Sequence, residues 1–195
     1  MCVHGYNVSA HHPVPRHIVA VAVKHVLVRH PAPDIAPGLC YGRRDMPLRP
    51  DAGPVVRHIA ADLRAHGLAR VWTSPARRCR VVAEAVGIAV VVDPRLWELD
   101  FGAWEGVAWN DVPRAALDAW AADPLGFAPP GGESGADLLR RVRAVHRALC
   151  DNGEDCAVVA HGGPLKLLAA LLRGEAPDLL APAPAIGSVQ VIVSG

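Results

Sequence analysis

The chain has 195 residues, enough for one domain with a sizeable core; 51% of them are hydrophobic and 20% charged. A formal net charge of +1 gives no ground for expecting nucleic acid or an anionic membrane as partner. The five cysteines, Cys2, Cys40, Cys79, Cys150 and Cys156, are odd in number and lack CxxC spacing, which argues against a disulfide framework or zinc knuckle and for free thiols in a reducing cytoplasm.

Residues 1–22 carry His4, His11, His12 and His17 among Pro and Gly. A metal site there competes with a flexible leader, and the leader is the expectation, with residues 23–195 as a single domain. The longest apolar run, Ile18–Val28, is broken by Lys24 and His25 and is too short to span a membrane. No clear cleavage site follows it, so a cytoplasmic protein is expected.

Lys24–Arg29 reads as a buried strand, and Pro31–Pro50 as a loop rich in Pro, Gly and Asp. Pro54–His66 has helical spacing at Val55, Ile59 and Leu63 and ends at Gly67. After a short strand at Val71–Thr73, Ser74-Pro75 has the form of an N-cap with proline in the first turn of a helix to about Val86. Gly87 stops that helix, and Ile88–Val92 is a β-branched strand. Residues 94–132 hold four of the five tryptophans and a short helix after Pro113, and read as an insertion over one end of a sheet. Ser134-Gly135-Ala136-Asp137 is a capping box for a helix burying Leu138, Val142, Val145 and Leu149. Cys156–Ala160 is a strand, Pro164–Arg173 a helix ended by Gly174, and Val189–Val193 the last strand. This alternation predicts an α/β fold: a three-layer α/β/α sandwich with a mostly parallel central sheet and a small helical insertion.

Parallel sheets bind ligands at the carboxyl ends of their strands. The first strand ends in Arg29-His30, and the Cys156–Ala160 strand in His161-Gly162-Gly163 at the start of a helix, whose free N–H groups suit a phosphate. Arginine in the first turn after Ser74-Pro75 is unfavourable unless an anion is near, although at least one of Arg77, Arg78 and Arg80 is expected to be a solvated surface residue. Glu98, Asp100 and Glu105 lie among large apolar residues. An acid there is expected to have a raised pKa and to donate a proton, unless it simply pairs with one of the arginines.

Together these residues resemble the histidine phosphatase superfamily, also called phosphoglycerate mutase-like, over about residues 24–193. The resemblance is carried by Arg29-His30, by Gly42 to Leu48 as Gly-x-x-Asp-x-Pro-Leu, and by Ser74-Pro75-Ala76-Arg77-Arg78. Glu98 to Gly102 as Glu-x-x-aromatic-Gly and His161-Gly162 complete it. It implies a phosphoric monoester hydrolase with catalytic His30, Glu98 and His161, and phosphate held by Arg29, Arg78 and Gly162. It implies neither metal nor cofactor. His30 would be the nucleophile, with Arg29, Arg78 and His161 neutralising the phosphoryl oxygens and Glu98 serving as acid, then base. Pro31-Ala32-Pro33 and Val82 depart from the family pattern; Pro31 removes a backbone N–H that could reach phosphate.

Ala36 to Arg43, Trp104-Glu105-Gly106 and Pro130 to Ser134 are further similar to the α-ribazole phosphatase branch, which implies α-ribazole 5′-phosphate as substrate and a place in cobalamin biosynthesis. Trp97, Trp104, Trp109 and Trp120 would then offer a stacking face, against the alternative that most are core; Glu133 and Ser134 would edge the pocket or merely cap a helix. The alternatives are a broad-specificity phosphatase acting on sugar phosphates or nucleotides, a phosphoglycerate mutase, or a non-catalytic phosphate-binding module. A small-molecule phosphomonoester is the expected partner, with a homodimer as the assembly common in that superfamily.

Overall fold

The computed structural model describes residues 22–195, so the expected leader, Ala22 apart, and Cys2 lie outside the described residues. Strands β1 (Val23–Arg29), β2 (Arg70–Thr73), β3 (Ala89–Val92), β4 (Cys156–Ala160) and β5 (Val189–Ser194) form one sheet in the order β3-β2-β4-β1-β5. All neighbours run parallel except β5, which is antiparallel to β1. The sheet is therefore mostly parallel, as expected from the alternation of elements.

Period-two alternation divides the core. Leu27 of β1 and Cys156, Val158 and Ala160 of β4 face one cluster, which is completed by α4 (Gly135–Asn152) and α5 (Gly162–Leu172). Val26, Val28, Ala157 and Val159 face the other, completed by α1 (Gly53–Ala65) and α2 (Arg77–Ala85). Every residue of β4 is buried, as a central parallel strand requires. On α1 the buried stripe is Val56, Ile59 and Leu63; Val55, expected inside, is 43% exposed, because the helix turns its neighbour toward the sheet. Gly87 and Gly174 end their helices with positive φ, at +80° and +71°.

The capping box of α4 forms as expected: Ser134 Oγ accepts from the Asp137 N–H at 3.2 Å, and Leu138, Val142, Val145 and Leu149 are buried. The cap of α2 does not follow the sequence reading. The helix begins at Arg77 with Ala76 at its N-cap position, and the Arg77 N–H is capped by Asp45 of the long loop at 2.8 Å. Ser74 is drawn away toward the sheet end, where its hydroxyl meets His161 at 2.8 Å.

The insertion contains α3 (Arg114–Ala122), which has no fully buried residue, and a third small core of Cys40, Trp104 and Val112. Trp104, Trp109 and Trp120 pack mutually at centroid separations of 6.0–6.4 Å, with Phe127 against Trp104. The loop before α1 is stitched to the insertion through Cys40 N–H to Val107 O (2.9 Å) and Gly106 N–H to Cys40 O (2.7 Å). No helix among the described residues is long and apolar enough to cross a membrane.

Candidate active site

Register brings the two histidines together. Arg29 of β1 pairs with Ala160 of the parallel neighbour β4, so His30 and His161 are each the next residue beyond the same rung. From this point the chain diverges, β1 leading to α1 on one face and β4 to α5 on the other, which opens a crevice between the strand ends. The two imidazole centroids are 5.1 Å apart. Thr73 pairs with Val159, and Ser74 follows beside them.

The crevice holds a cavity of about 200 Å³ whose wall includes Arg29, His30, Arg78, Glu98 and His161. Five of the six expected site residues thus converge. Gly162 does not line the cavity; a Cβ there would lie 2.9 Å from Ala183 and 3.1 Å from the Arg29 guanidinium carbon, so its lack of a side chain lets Arg29 in. The next N–H along the helix start is committed to Glu98: that of Gly163 meets both carboxyl oxygens at 3.2 Å. A Cβ on Gly163 would stand 2.3 Å from Glu98 Oε1, so glycine is needed for the carboxylate to reach the helix start.

His30 is 1% exposed, and its Nδ1 lies 2.7 Å from the Pro31 carbonyl. That contact puts the ring proton on Nδ1 and leaves the lone pair on Nε2. Pro31 thus serves through its carbonyl, although it has no N–H to give. Burial lowers the His30 pKa to about 3, against the Pro31 bond and with help from Arg78 and Arg29.

Arg78 is fully buried, donating to Gly42 O at 2.8 Å and Arg44 O at 2.9 Å. Its Nη2 also lies 3.2 Å from His161 Nδ1. Arginine only donates, so His161 Nδ1 accepts and Nε2 donates to Ser74. His161 is therefore neutral, its pKa held well below the ordinary value by burial first and by Arg78 and His30 next. The positive charge that the sequence suggested for His161 is absent from the free site. The Nε groups of Arg29 and Arg78 are buried and find no acceptor among the described residues. Two guanidiniums, one also tied to Pro184 O at 2.6 Å, make a concentrated cationic pocket.

One supporting group, Arg141, was not identified from sequence. Arg141 pairs with Glu133 through Nε (2.8 Å) and Nη2 (2.9 Å), and donates Nη2 to Glu98 O at 3.0 Å and Nη1 to Arg95 O at 2.6 Å, fixing the backbone that carries Glu98. Glu133 thus supports the site from behind without lining the cavity. Glu105 accepts from the N–H groups of Arg43 and Arg44 at 2.7 Å each, holding the loop whose carbonyls receive Arg78. Asp100 takes the Gly102 N–H at 2.9 Å. Of the three acids only Glu98 reaches the cavity, and of the four insertion tryptophans only Trp109 does, beside Phe101 and Tyr41. Trp97 instead lies parallel to His161 at 6.3 Å.

Neither Cys40 nor Cys79 offers a rival nucleophile. Burial raises the Cys40 thiol to about 12 and pushes Cys79, beside His161, up as well. Cys40, Cys79, Cys150 and Cys156 are all free.

A pH prediction follows from the buried histidines. His25, His30 and His161 all have pKa values lowered by burial from an ordinary 6.5. The unfolded chain binds protons at these positions below about pH 6.5 while the fold resists them, so it carries more protons than the fold there. Stability is therefore complete above pH 6.5 and declines as pH falls toward the folded values. Urea midpoints at pH 8, 6 and 5 are expected to decrease in that order; a midpoint that rose on acidification would refute the neutral, buried assignment.

A model of the histidine phosphatase superfamily (branch 1) matches residues 25–192. A bifunctional protein of Mycobacterium tuberculosis is 34% identical over 154 residues, covering 73% of this chain but only 42% of that relative's length. Phosphoserine phosphatase 1 of Hydrogenobacter thermophilus is 26% identical over 162 residues, covering 78% of this chain and 77% of the relative. The α-ribazole phosphatase of Shigella flexneri superposes with a TM-score of 0.77 at 24% identity, over 87% of this chain and 89% of that one, a likeness of fold.

Proposed function

The chain belongs to the histidine phosphatase superfamily (branch 1), and from that membership we propose that it hydrolyses small phosphomonoesters through a phosphohistidine on His30. The observation that carries the reading is the convergence on one cavity of a neutral imidazole, two guanidiniums, that of Arg78 fully buried, and the carboxyl group of Glu98. Neutral His30 attacks phosphorus through Nε2; the P–N bond forms as the bond to the leaving oxygen breaks. Glu98 gives a proton to that oxygen. It then takes one from the water that attacks phosphohistidine, releasing inorganic phosphate and restoring His30. Arg29 and Arg78 hold the non-bridging oxygens and supply the charge that a metal ion provides in other phosphatases, so no metal or cofactor enters these steps. His161 acts as a positioning residue, turning Arg78 by accepting its Nη2–H.

For the substrate we favour α-ribazole 5′-phosphate, which would place the enzyme in cobalamin biosynthesis. The Phe101 ring, beside Glu98, suits a flat leaving group, and the sequence around Ala36–Arg43 and Pro130–Ser134 points the same way. The phosphoserine phosphatase among the relatives favours a second reading, a phosphatase of small, varied phosphomonoesters.

Two measurements test this. Rapid quench with labelled substrate is expected to trap an alkali-stable, acid-labile phosphoprotein, and no label in the protein would refute the covalent step. In a panel of α-ribazole 5′-phosphate, phosphoserine, a sugar phosphate and a mononucleotide, kcat/KM is expected to favour the first by about tenfold or more. Equal values across the panel would establish the broad-specificity reading instead.

A further inference from the structure

In-line displacement dictates where the leaving alcohol goes. Attack by His30 expels the leaving oxygen on the far side of phosphorus, and Glu98 must lie within hydrogen-bond reach of it. The carbon attached to that oxygen therefore emerges beside Glu98. Glu98 and Phe101 line both the phosphate cavity and a second cavity of about 330 Å³. Its walls are mostly apolar, with Trp120, Leu138, Leu179 and Leu180 prominent. The Phe101 ring meets edge-on both Trp109 of the first cavity (5.3 Å) and Trp120 of the second (5.8 Å), and these two indoles stack on each other.

Besides Glu98, the charged residue on the second cavity's wall is Lys166. It lies three residues beyond Gly163 on α5, one turn from the N–H that holds Glu98. Its ammonium donates to the Leu179 carbonyl and, at 2.9 Å, to that of Ala181. An ammonium has three N–H groups, so one remains for a ligand. Burial draws the Lys166 pKa down while Glu98 and Asp178 oppose the shift.

We propose that this second cavity is the leaving-group subsite, taking an alcohol with an aromatic or branched apolar body and giving the remaining Lys166 N–H to an acceptor on that body. A ring nitrogen, a carbonyl or a carboxylate would serve. The inference rests on the phosphohistidine reading, because it uses the positions of His30 and Glu98 to aim the alcohol.

The test compares methyl phosphate, 2-naphthyl phosphate and 6-carboxy-2-naphthyl phosphate. Ala121, an exposed residue of α3 on the cavity wall, is changed to Phe to fill the space, and Lys166 to Met to remove the donor. Val193→Ser on the exposed outer strand is the control. Ala121→Phe is expected to cut the naphthyl-to-methyl ratio of kcat/KM by about tenfold or more. Lys166→Met is expected to abolish the preference for the carboxylated naphthyl ester over the plain one. Ratios in both variants equal to those of the wild type and the control would overturn the subsite while leaving the hydrolase intact. If the wild type turned over none of the three esters, the hydrolase reading would fail. Calorimetric titration with 2-naphthol would then decide the cavity by itself: binding lost in Ala121→Phe supports it, and no binding to the wild type refutes it.

Discussion

Replacing His30 by alanine is expected to lower kcat/KM for every phosphomonoester the protein accepts by about a thousandfold or more, because removing a nucleophile removes the covalent route itself. The change deletes the Nε2 lone pair and frees the Pro31 carbonyl that now receives Nδ1–H. That carbonyl is the one hydrogen-bond partner of the side chain among the described residues, so the structural cost is about 1–3 kcal/mol, the penalty for one unpaired buried group. His30→Gln keeps a donor near Pro31 without an imidazole, and it should recover stability while remaining inactive. Circular dichroism melts run beside the assay separate the two effects. A His30→Ala protein that kept more than about a tenth of wild-type turnover would remove the nucleophile from the mechanism.

The second large effect is expected at Arg78. Its guanidinium is fully enclosed and bridges Gly42, Arg44 and His161, so Arg78→Met removes a charge from the anion pocket and strands two carbonyls. Loss of one such donor typically costs about 10²–10³ in kcat, and each stranded carbonyl adds about 1–3 kcal/mol of destabilisation. Arg78→Lys keeps the charge but not the planar fork; it should stay far below wild type because the three N–H groups of an ammonium cannot serve both carbonyls, His161 Nδ1 and an anion. The adjacent Arg77 has an exposed side chain, and Arg77→Met should change neither activity nor melting measurably. If Arg77→Met and Arg78→Met behaved alike, the assignment of the buried arginine as the anion holder would be wrong.

The contrast between these neighbours shows what could be read from the chain. The resemblance of Ser74-Pro75-Ala76-Arg77-Arg78 to the family motif singled out Arg78, and the burial of α2 agrees, since Arg78 shares the inward face with Cys79 and Val82. Strand and helix positions came from local signals that survive folding: β-branched runs, an apolar stripe repeating every three to four residues, glycine at helix ends. What those signals did not reach is the choice of partner. Ser74 had the form of a cap and became a ligand of His161. Gly162 had the form of a phosphate donor, yet its neighbour Gly163 spends its N–H on Glu98. Four tryptophans in one insertion suggested a stacking face, and one of them lines the cavity.

The order of residues alone therefore pointed to the α/β/α class and to the strand ends, and the family resemblance added His30, Arg78, Glu98 and His161 as candidates, which the structure brings to one cavity. The tertiary structure decided the protonation of the two histidines, the support of Glu98 by Arg141 and Glu133, the capping of α2 by Asp45, and the apolar cavity beside Phe101. The division has a physical cause. A residue's preference for strand, helix or interior is set by its own side chain and near neighbours. Hydrogen-bond pairing and desolvation depend on groups that lie as far apart in sequence as Arg29 and Ala160, which meet only through the β1–β4 register.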